Sequence, residues 1–254
     1  MWRLVRICVL LAILAFVALG AVVDRWRTTD WHKTLWVGIF PVNADGREST
    51  GRYIGSLDAA QFGDIESFFS REARRHGMTL DQPVHIELYP RRSLAPPELE
   101  PGASLPGRLL WSLRARFYAW RVADDSLADI EVFVLYHDPG QTAVVPDSLG
   151  LQKGLFGIVH AYADSRADAT NDIVIAHEVM HIVGASDKYD PVTTLPLFPQ
   201  GYGDPQASPL YPQPAAEIMA GRVALGPDEA SIPDSLADVV VGPETAAEVS
   251  WTRR

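Results

Sequence analysis

Residues 177–181 read His-Glu-Val-Met-His. On an α-helix, positions four apart share a face, with roughly 5–6 Å between their Cβ atoms. Two imidazoles at that spacing can converge on one zinc ion, at Zn–N distances of roughly 2.0–2.1 Å. Glu178 follows the first imidazole and can reach a water on the same ion as its general base. The string continues to Gly184 and Asp187. A residue free to take positive φ turns the chain sharply off a helix, and three residues later a side chain can swing back. Asp187 then supplies an oxygen ligand at about 2.0–2.2 Å, and three protein ligands leave the fourth zinc position open, as catalysis needs. With 7 His in 254 residues, random order gives the H-E-x-x-H triplet in roughly 1% of such chains, and the pattern with Gly184 and Asp187 in roughly 5 of 100,000.

The motif needs a helix, and residues 171–183 offer one. Thr170 or Asp172 can cap it, Ile173, Ala176, Met180 and Val183 form an apolar stripe, and Gly184 stops it. Upstream, the patterns predict strands at 34–42, 84–89, 130–136 and 155–163. They predict helices at 57–76 and 108–122, with a proline-rich link over 90–106 between. That order implies an α+β fold: a mixed sheet with helices packed on it, one of them the zinc helix. After Gly184 the texture changes. Residues 191–214 hold seven prolines, so that stretch cannot be regular structure, and a long ordered loop in a compact domain is usually functional. A short helix is expected at 244–251. The expected division is an N-terminal segment, 1–27, and a catalytic domain, 28–254, itself split into subdomains 28–184 and 185–254.

Composition narrows the partners. The formal net charge is -10, which speaks against nucleic acid, because phosphate binding needs clustered Lys and Arg. One cysteine, Cys8, excludes an intramolecular disulfide and a Cys-based zinc site. Residues 7–23 carry no charge. Arg3 and Arg6 precede them, and Trp2 and Trp26 sit at the two ends, where interfacial aromatics belong. The expectation is a single-pass transmembrane helix over residues 4–23 with the rest outside the cytoplasm; a cleaved signal with a secreted product is the alternative.

His177, Glu178, His181, Gly184 and Asp187 match the extended zinc motif of the metzincin peptidases, with Asp where most members carry a third His. That variant resembles the snapalysin-type small neutral proteases. Asp187-Lys188-Tyr189 resembles their D-x-Y, and Glu217-Ile218-Met219-Ala220-Gly221 resembles their E-L-M-S-G segment, which carries the methionine of the turn beneath the zinc. The resemblance spans residues 177–221. It implies a zincin-like fold and a zinc metalloendopeptidase acting on a peptide or protein substrate. The ligands would be His177, His181 and Asp187, with Glu178 catalytic and Tyr189 and Met219 in support. It also implies that strand 155–163 edges the cleft and pairs with an extended peptide. Leu195, Leu197, Phe198 and Tyr202 would line the pocket beyond the scissile bond. Three departures stand out: a longer, proline-rich gap between Asp187 and Met219, the absence of the snapalysin cysteines, and an added N-terminal anchor.

Alternatives remain open from the residues alone. Asp190 or Glu217 could be the third ligand. The chemistry could be that of a zinc amidase on a cell-wall or other non-protein amide, or the chain could be a non-catalytic binding protein of zincin fold. His160 reads as structural, and His32, His76, His85 and His137 form no pattern.

Overall fold

The structure is a computed structural model that describes residues 2, 6, 7, 28–99, 102–123, 125–152 and 154–252. Of the expected membrane helix at 4–23, all but residues 6 and 7 lie outside the described residues. Among the described residues, no helix is long and apolar enough to cross a membrane.

β-Branched and aromatic side chains, which suit a pleated buried surface, build the strands that organise the chain. They are β1 (Leu35–Asn43), β2 (Val84–Leu88), β3 (Ile130–His137), β4 (Leu149–Leu151) and β5 (Phe156–Tyr162). They form one sheet in the order β2-β1-β3-β5-β4. The first four in that order run parallel, and β4 pairs antiparallel with β5 at the edge. β1 and β3 are central and buried almost throughout, as parallel strands covered on both faces must be.

The sheet carries helices on both faces. Helices α1 (Glu48–Gly55), α2 (Gly63–Arg75) and α4 (Asp168–Ile182) lie on one side, where Val37, Ile39, Val132, Val134 and Val159 meet Phe68, Phe69, Ile175 and Val179 in the larger core. Helix α3 (Leu105–Val122) lies on the other, setting Ala115 and Ala119 against Phe40, Phe133 and Phe156. After α4 the described residues hold short elements: β6 (Ala216–Glu217), β7 (Val223–Gly226), β8 (Glu229–Ser231), a 3-10 turn (Leu236–Asp238), β9 (Val239–Val240) and α5 (Pro243–Glu248). The architecture is the expected mixed α+β.

Several element boundaries differ from the sequence reading. The helix expected over 57–76 begins only at Gly63; Asp58 and Gln61 close a capping box on a separate 3-10 turn, Ala59–Phe62. Helix α1 was not expected, because its two glycines, Ser and Thr are weak helix formers. Helix α3 starts at Leu105, with Ser104 as cap and Pro106 in the first turn, where a missing N–H costs nothing. Helix α4 starts at Asp168, so Asp172 is a buried residue inside the helix and neither it nor Thr170 caps it. The last helix spans Pro243–Glu248 instead of 244–251.

One correction bears on function. Strand 155–163 was expected to edge the cleft, but β4 covers that edge of β5, pairing Leu149 with Ile158 and Leu151 with Phe156. Three residues are too few to show a strand period in sequence. Among the described residues, the free edge on that side of the sheet therefore belongs to β4, with β2 at the other edge.

Candidate metal centre

Helix α4 carries His177 and His181 on the side away from its apolar packing, with their rings edge to face at 4.7 Å between centroids. Gly184, at φ +110°, then turns the chain off the helix. Its N–H donates to the His181 carbonyl at 3.0 Å, and the Ala185 N–H donates to the Met180 carbonyl at 2.9 Å. Bonds of this kind close a helix end through a left-handed residue, which glycine adopts without a Cβ clash. The turn brings Asp187 back over the helix. Asp187 Oδ1 stands 3.3 Å from His177 Nε2 and 3.0 Å from His181 Nε2.

Each imidazole is aimed by its other nitrogen. His177 Nδ1 lies 2.9 Å from the Ile218 carbonyl, and His181 Nδ1 lies 2.9 Å from the Ala185 carbonyl. A carbonyl only accepts, so each Nδ1 carries a proton, and in the neutral ring Nε2 is left to offer its lone pair to a metal. Carbonyl support of this type fixes tautomer and ring direction in metal-binding histidines. The donor set fits a divalent metal: one ligand atom from each of His177, His181 and Asp187, all within 4.8 Å of one another. The chemistry of two imidazoles and a carboxylate suits zinc.

Glu178 points beside this cluster. Its Oε2 is buried with no hydrogen-bond partner, and its carboxylate receives the Gly150 backbone N–H. Burial pushes the carboxyl up, partly offset by the two imidazoles. Burial also pushes Asp187 up, but hydrogen bonds from His177 and His181 outweigh it and hold that carboxyl below the ordinary range.

The cleft beside the cluster has a volume of about 630 Å³, with His177, Glu178, Tyr189, Thr194, His160 and Arg222 among its lining residues. Tyr189 thus faces the cleft. Met219 is fully buried, and its segment works through the backbone: the Ile218 carbonyl aims His177, and the Met219 carbonyl accepts the Lys188 N–H at 2.9 Å.

Other expected residues fall elsewhere. Glu217 is fully buried; its carboxylate accepts the N–H groups of Met219, Ala220 and Gly242 at 2.6, 3.2 and 3.0 Å. With its oxygens so engaged, it anchors a turn and is not in the cluster. Asp190 accepts the N–H groups of Val192 and Thr193 and likewise stands outside it. Leu195, Leu197, Phe198 and Tyr202 do not line the cleft; that loop contributes Thr194. Tyr202 is buried instead, its hydroxyl 2.6 Å from that of Tyr211, while Leu197 and Phe198 are exposed.

Sequence reasoning missed three features here. Gly150 is one: a Cβ there would lie 2.4 Å from the Glu178 carbonyl oxygen and 2.8 Å from His181 Cβ, so only glycine lets β4 approach α4 this closely. The only hint was a glycine between two leucines. Lys188 and Glu248 are another, joined at 2.9 Å across sixty residues of sequence with no local signal. The third is a histidine pair, His137 Nε2 and His160 Nδ1, 2.9 Å apart. Burial holds both below the usual imidazole range, His160 at about 4.

No protein-family model matches the sequence, and no curated protein matches it. Among solved structures, the chain is similar to wild-type OgpA from Akkermansia muciniphila, at 12% identity and a TM-score of 0.41, over 89% of this chain and 66% of that one. A catalytically inactive OgpA in complex with an O-glycopeptide substrate gives 12% identity and a TM-score of 0.36, over 87% and 63%. A chaperone-substrate complex gives 12% identity and a TM-score of 0.38, over 87% and 35%.

Proposed function

We propose that this protein is a zinc-dependent metallopeptidase of metzincin type, with His177, His181 and Asp187 as ligands and Glu178 as general base and acid. The observation that carries this reading is the convergence of His177 Nε2, His181 Nε2 and Asp187 Oδ1 beside a buried Glu178 carboxylate in one cleft.

When bound, zinc supplies Lewis acidity, polarising a carbonyl and acidifying a water. The chain's own groups do the rest. An extended peptide adds to the free edge of β4, its main chain pairing with residues 149–151. Because Gly150 lies against Glu178, a strand on that edge passes beside the carboxylate. Glu178 takes a proton from the attacking water and delivers it to the leaving amine. Burial that raises its pKa suits it to hold that proton between the two steps. Tyr189, on the cleft wall, is placed to donate a hydrogen bond toward the substrate. Residues 4–23 anchor the chain in a membrane, with the catalytic part outside the cytoplasm.

The test is zinc content and turnover of the full-length protein. One equivalent of zinc per chain is expected, with cleavage of a mixed peptide library that is lost on chelation. Zinc restores it and magnesium does not, because imidazole ligands disfavour hard cations. Well under one equivalent after native purification, with none regained on adding zinc, overturns the reading. Zinc binding with cleavage of cell-wall fragments but no peptide replaces it with an amidase.

A further inference from the structure

Helix α3 is apolar on two sides. Ala115 and Ala119 face the sheet, and Tyr118 meets Phe133 edge on, with ring centroids 5.0 Å apart. The opposite side carries Leu105, Leu109, Leu110, Leu113, Phe117 and Trp120, each between 51% and 74% exposed. Leu105, Leu109, Leu113 and Phe117 follow at four-residue steps, which keeps them on one face. A helix on a soluble surface ordinarily turns charged residues outward. Here the outward stripe is leucine and aromatic.

The charges on this helix have one sign. Its sequence, LPGRLLWSLRARFYAWRV, holds four arginines and no acidic residue, in a chain of formal net charge -10. Arg108, Arg114 and Arg121 are exposed. At about 3.6 residues per turn, Arg114 and Arg121 border the stripe on one side, whereas Arg108 falls at the angle of Ala115 and Ala119, and Arg116 lies near Gly154. Leucine and aromatic side chains on one face with arginines at its margin make a helix that lies in a membrane interface.

We propose that the exposed face of α3 rests on an anionic lipid surface, its apolar side chains entering the acyl boundary and the bordering arginines meeting headgroup phosphates. Charge decides against two other occupants. A second copy docking through the same face sets Arg114 and Arg121 against their own counterparts. The apolar run at 7–23 carries no charge and leaves the arginines without partners. Anionic headgroups complement them directly. With α3 on the lipid, the sheet lies between the membrane and α4, so the metal-binding side chains are on the layer facing solution. The proposal does not require the zinc chemistry or the N-terminal anchor.

The test uses the full-length chain with Cys8→Ser, so that one introduced thiol can be labelled. Leu113→Cys carries an environment-sensitive fluorophore, and Val192→Cys, on an exposed loop, is the control. Each protein is mixed with phosphatidylcholine vesicles, with or without phosphatidylglycerol, containing a lipid-borne quencher. The label at 113 is expected to shift to the blue and be quenched at least about twofold more than the label at 192, and only with the anionic lipid. Arg114→Glu with Arg121→Glu is expected to cut that quenching by about half or more. Quenching at 113 no greater than at 192 overturns the proposal. A lipid-independent shift that grows with protein concentration overturns it in favour of a second copy. A lipid-independent shift that disappears when residues 7–23 are deleted overturns it in favour of that segment. Leu113, Arg114, Arg121 and Val192 are exposed, and unchanged far-ultraviolet circular dichroism verifies folding. Carbonate washing reports on the anchor separately.

Discussion

The two histidines and the aspartate reach one point by different means. His177 and His181 ride on a regular helix whose place is set by Ile175, Ala176, Val179 and Met180, all fully buried. Asp187 rides on a stretch with no regular structure, and buried polar groups order it. Lys188 Nζ donates to both oxygens of Glu248 at 2.9 Å, and Ser186 donates to the same carboxylate. Glu217 gathers three backbone N–H groups beneath. Apolar packing degrades gradually as methyl groups are removed. A polar anchor fails abruptly, because losing one partner leaves the other buried and unsatisfied. The regular half should therefore absorb conservative changes that the irregular half does not.

The largest effect expected separates reacting from holding. Glu178→Gln keeps the size and removes the base, so peptide turnover should fall by about 10²–10⁴-fold. Zinc content and melting temperature should match wild type. Undiminished turnover at equal zinc occupancy would refute the mechanism.

Next comes the contrast between the two carboxylates of the irregular half. Glu217→Ala orphans the buried N–H groups of Met219 and Gly242, at about 1–3 kcal/mol each, while Ala220 keeps its bond to the residue 217 carbonyl; it should lower stability and zinc affinity together in denaturant titrations and metal competition. Asp187→Ala should weaken zinc binding while leaving the unfolding midpoint of the zinc-free protein within a few degrees of wild type. If Asp187→Ala retained normal affinity, the ligand assignment would be wrong.

A smaller effect compares the halves directly. Ile175→Val on α4 should cost about 0.5–1.5 kcal/mol and leave zinc affinity unchanged. Lys188→Met should cost about 1–3 kcal/mol and weaken zinc binding as well, since it releases the loop carrying Asp187. Equal losses of zinc affinity in the two variants would erase the distinction.

A pH-dependent effect is the exception inside the regular half. Burial, with Asp64 and Asp168 nearby, pushes the Asp172 carboxyl from 3.8 up to about 8. A folded-state pKa above the unfolded one means that its favourable contribution is complete below about pH 4 and is lost as pH rises through about 8. Asp172→Asn stays neutral. Its melting temperature relative to wild type should be nearly unchanged at pH 4 and should rise steadily toward pH 8; a pH-independent difference would contradict the shift.

The same contrast explains what could be read in advance. Ile173, Ala176, Met180 and Val183 repeat at helical spacing, and the strands are runs of Val, Ile and Phe, so α4 and the sheet were visible in the sequence. So was the turn at Gly184. Glu217 was visible only as an acidic residue near Met219, and its burial reversed the meaning: it satisfies backbone groups instead of offering an oxygen to a metal. Lys188 and Glu248 are ordinary surface types until the fold brings them together. β4 is three residues long, and its role rests on Gly150 touching α4, a contact without a period.

Trp31 and Trp251 pack edge to face at 5.8 Å, and the Trp31 indole donates to the Val249 carbonyl at 2.7 Å. The first and last parts of the folded chain are therefore stapled at one corner. Trp251 directly follows the helical turn that bears Glu248, which grips Lys188 beside Asp187. Tension applied at Trp31 enters at that staple and bears on the turn that holds the third candidate ligand.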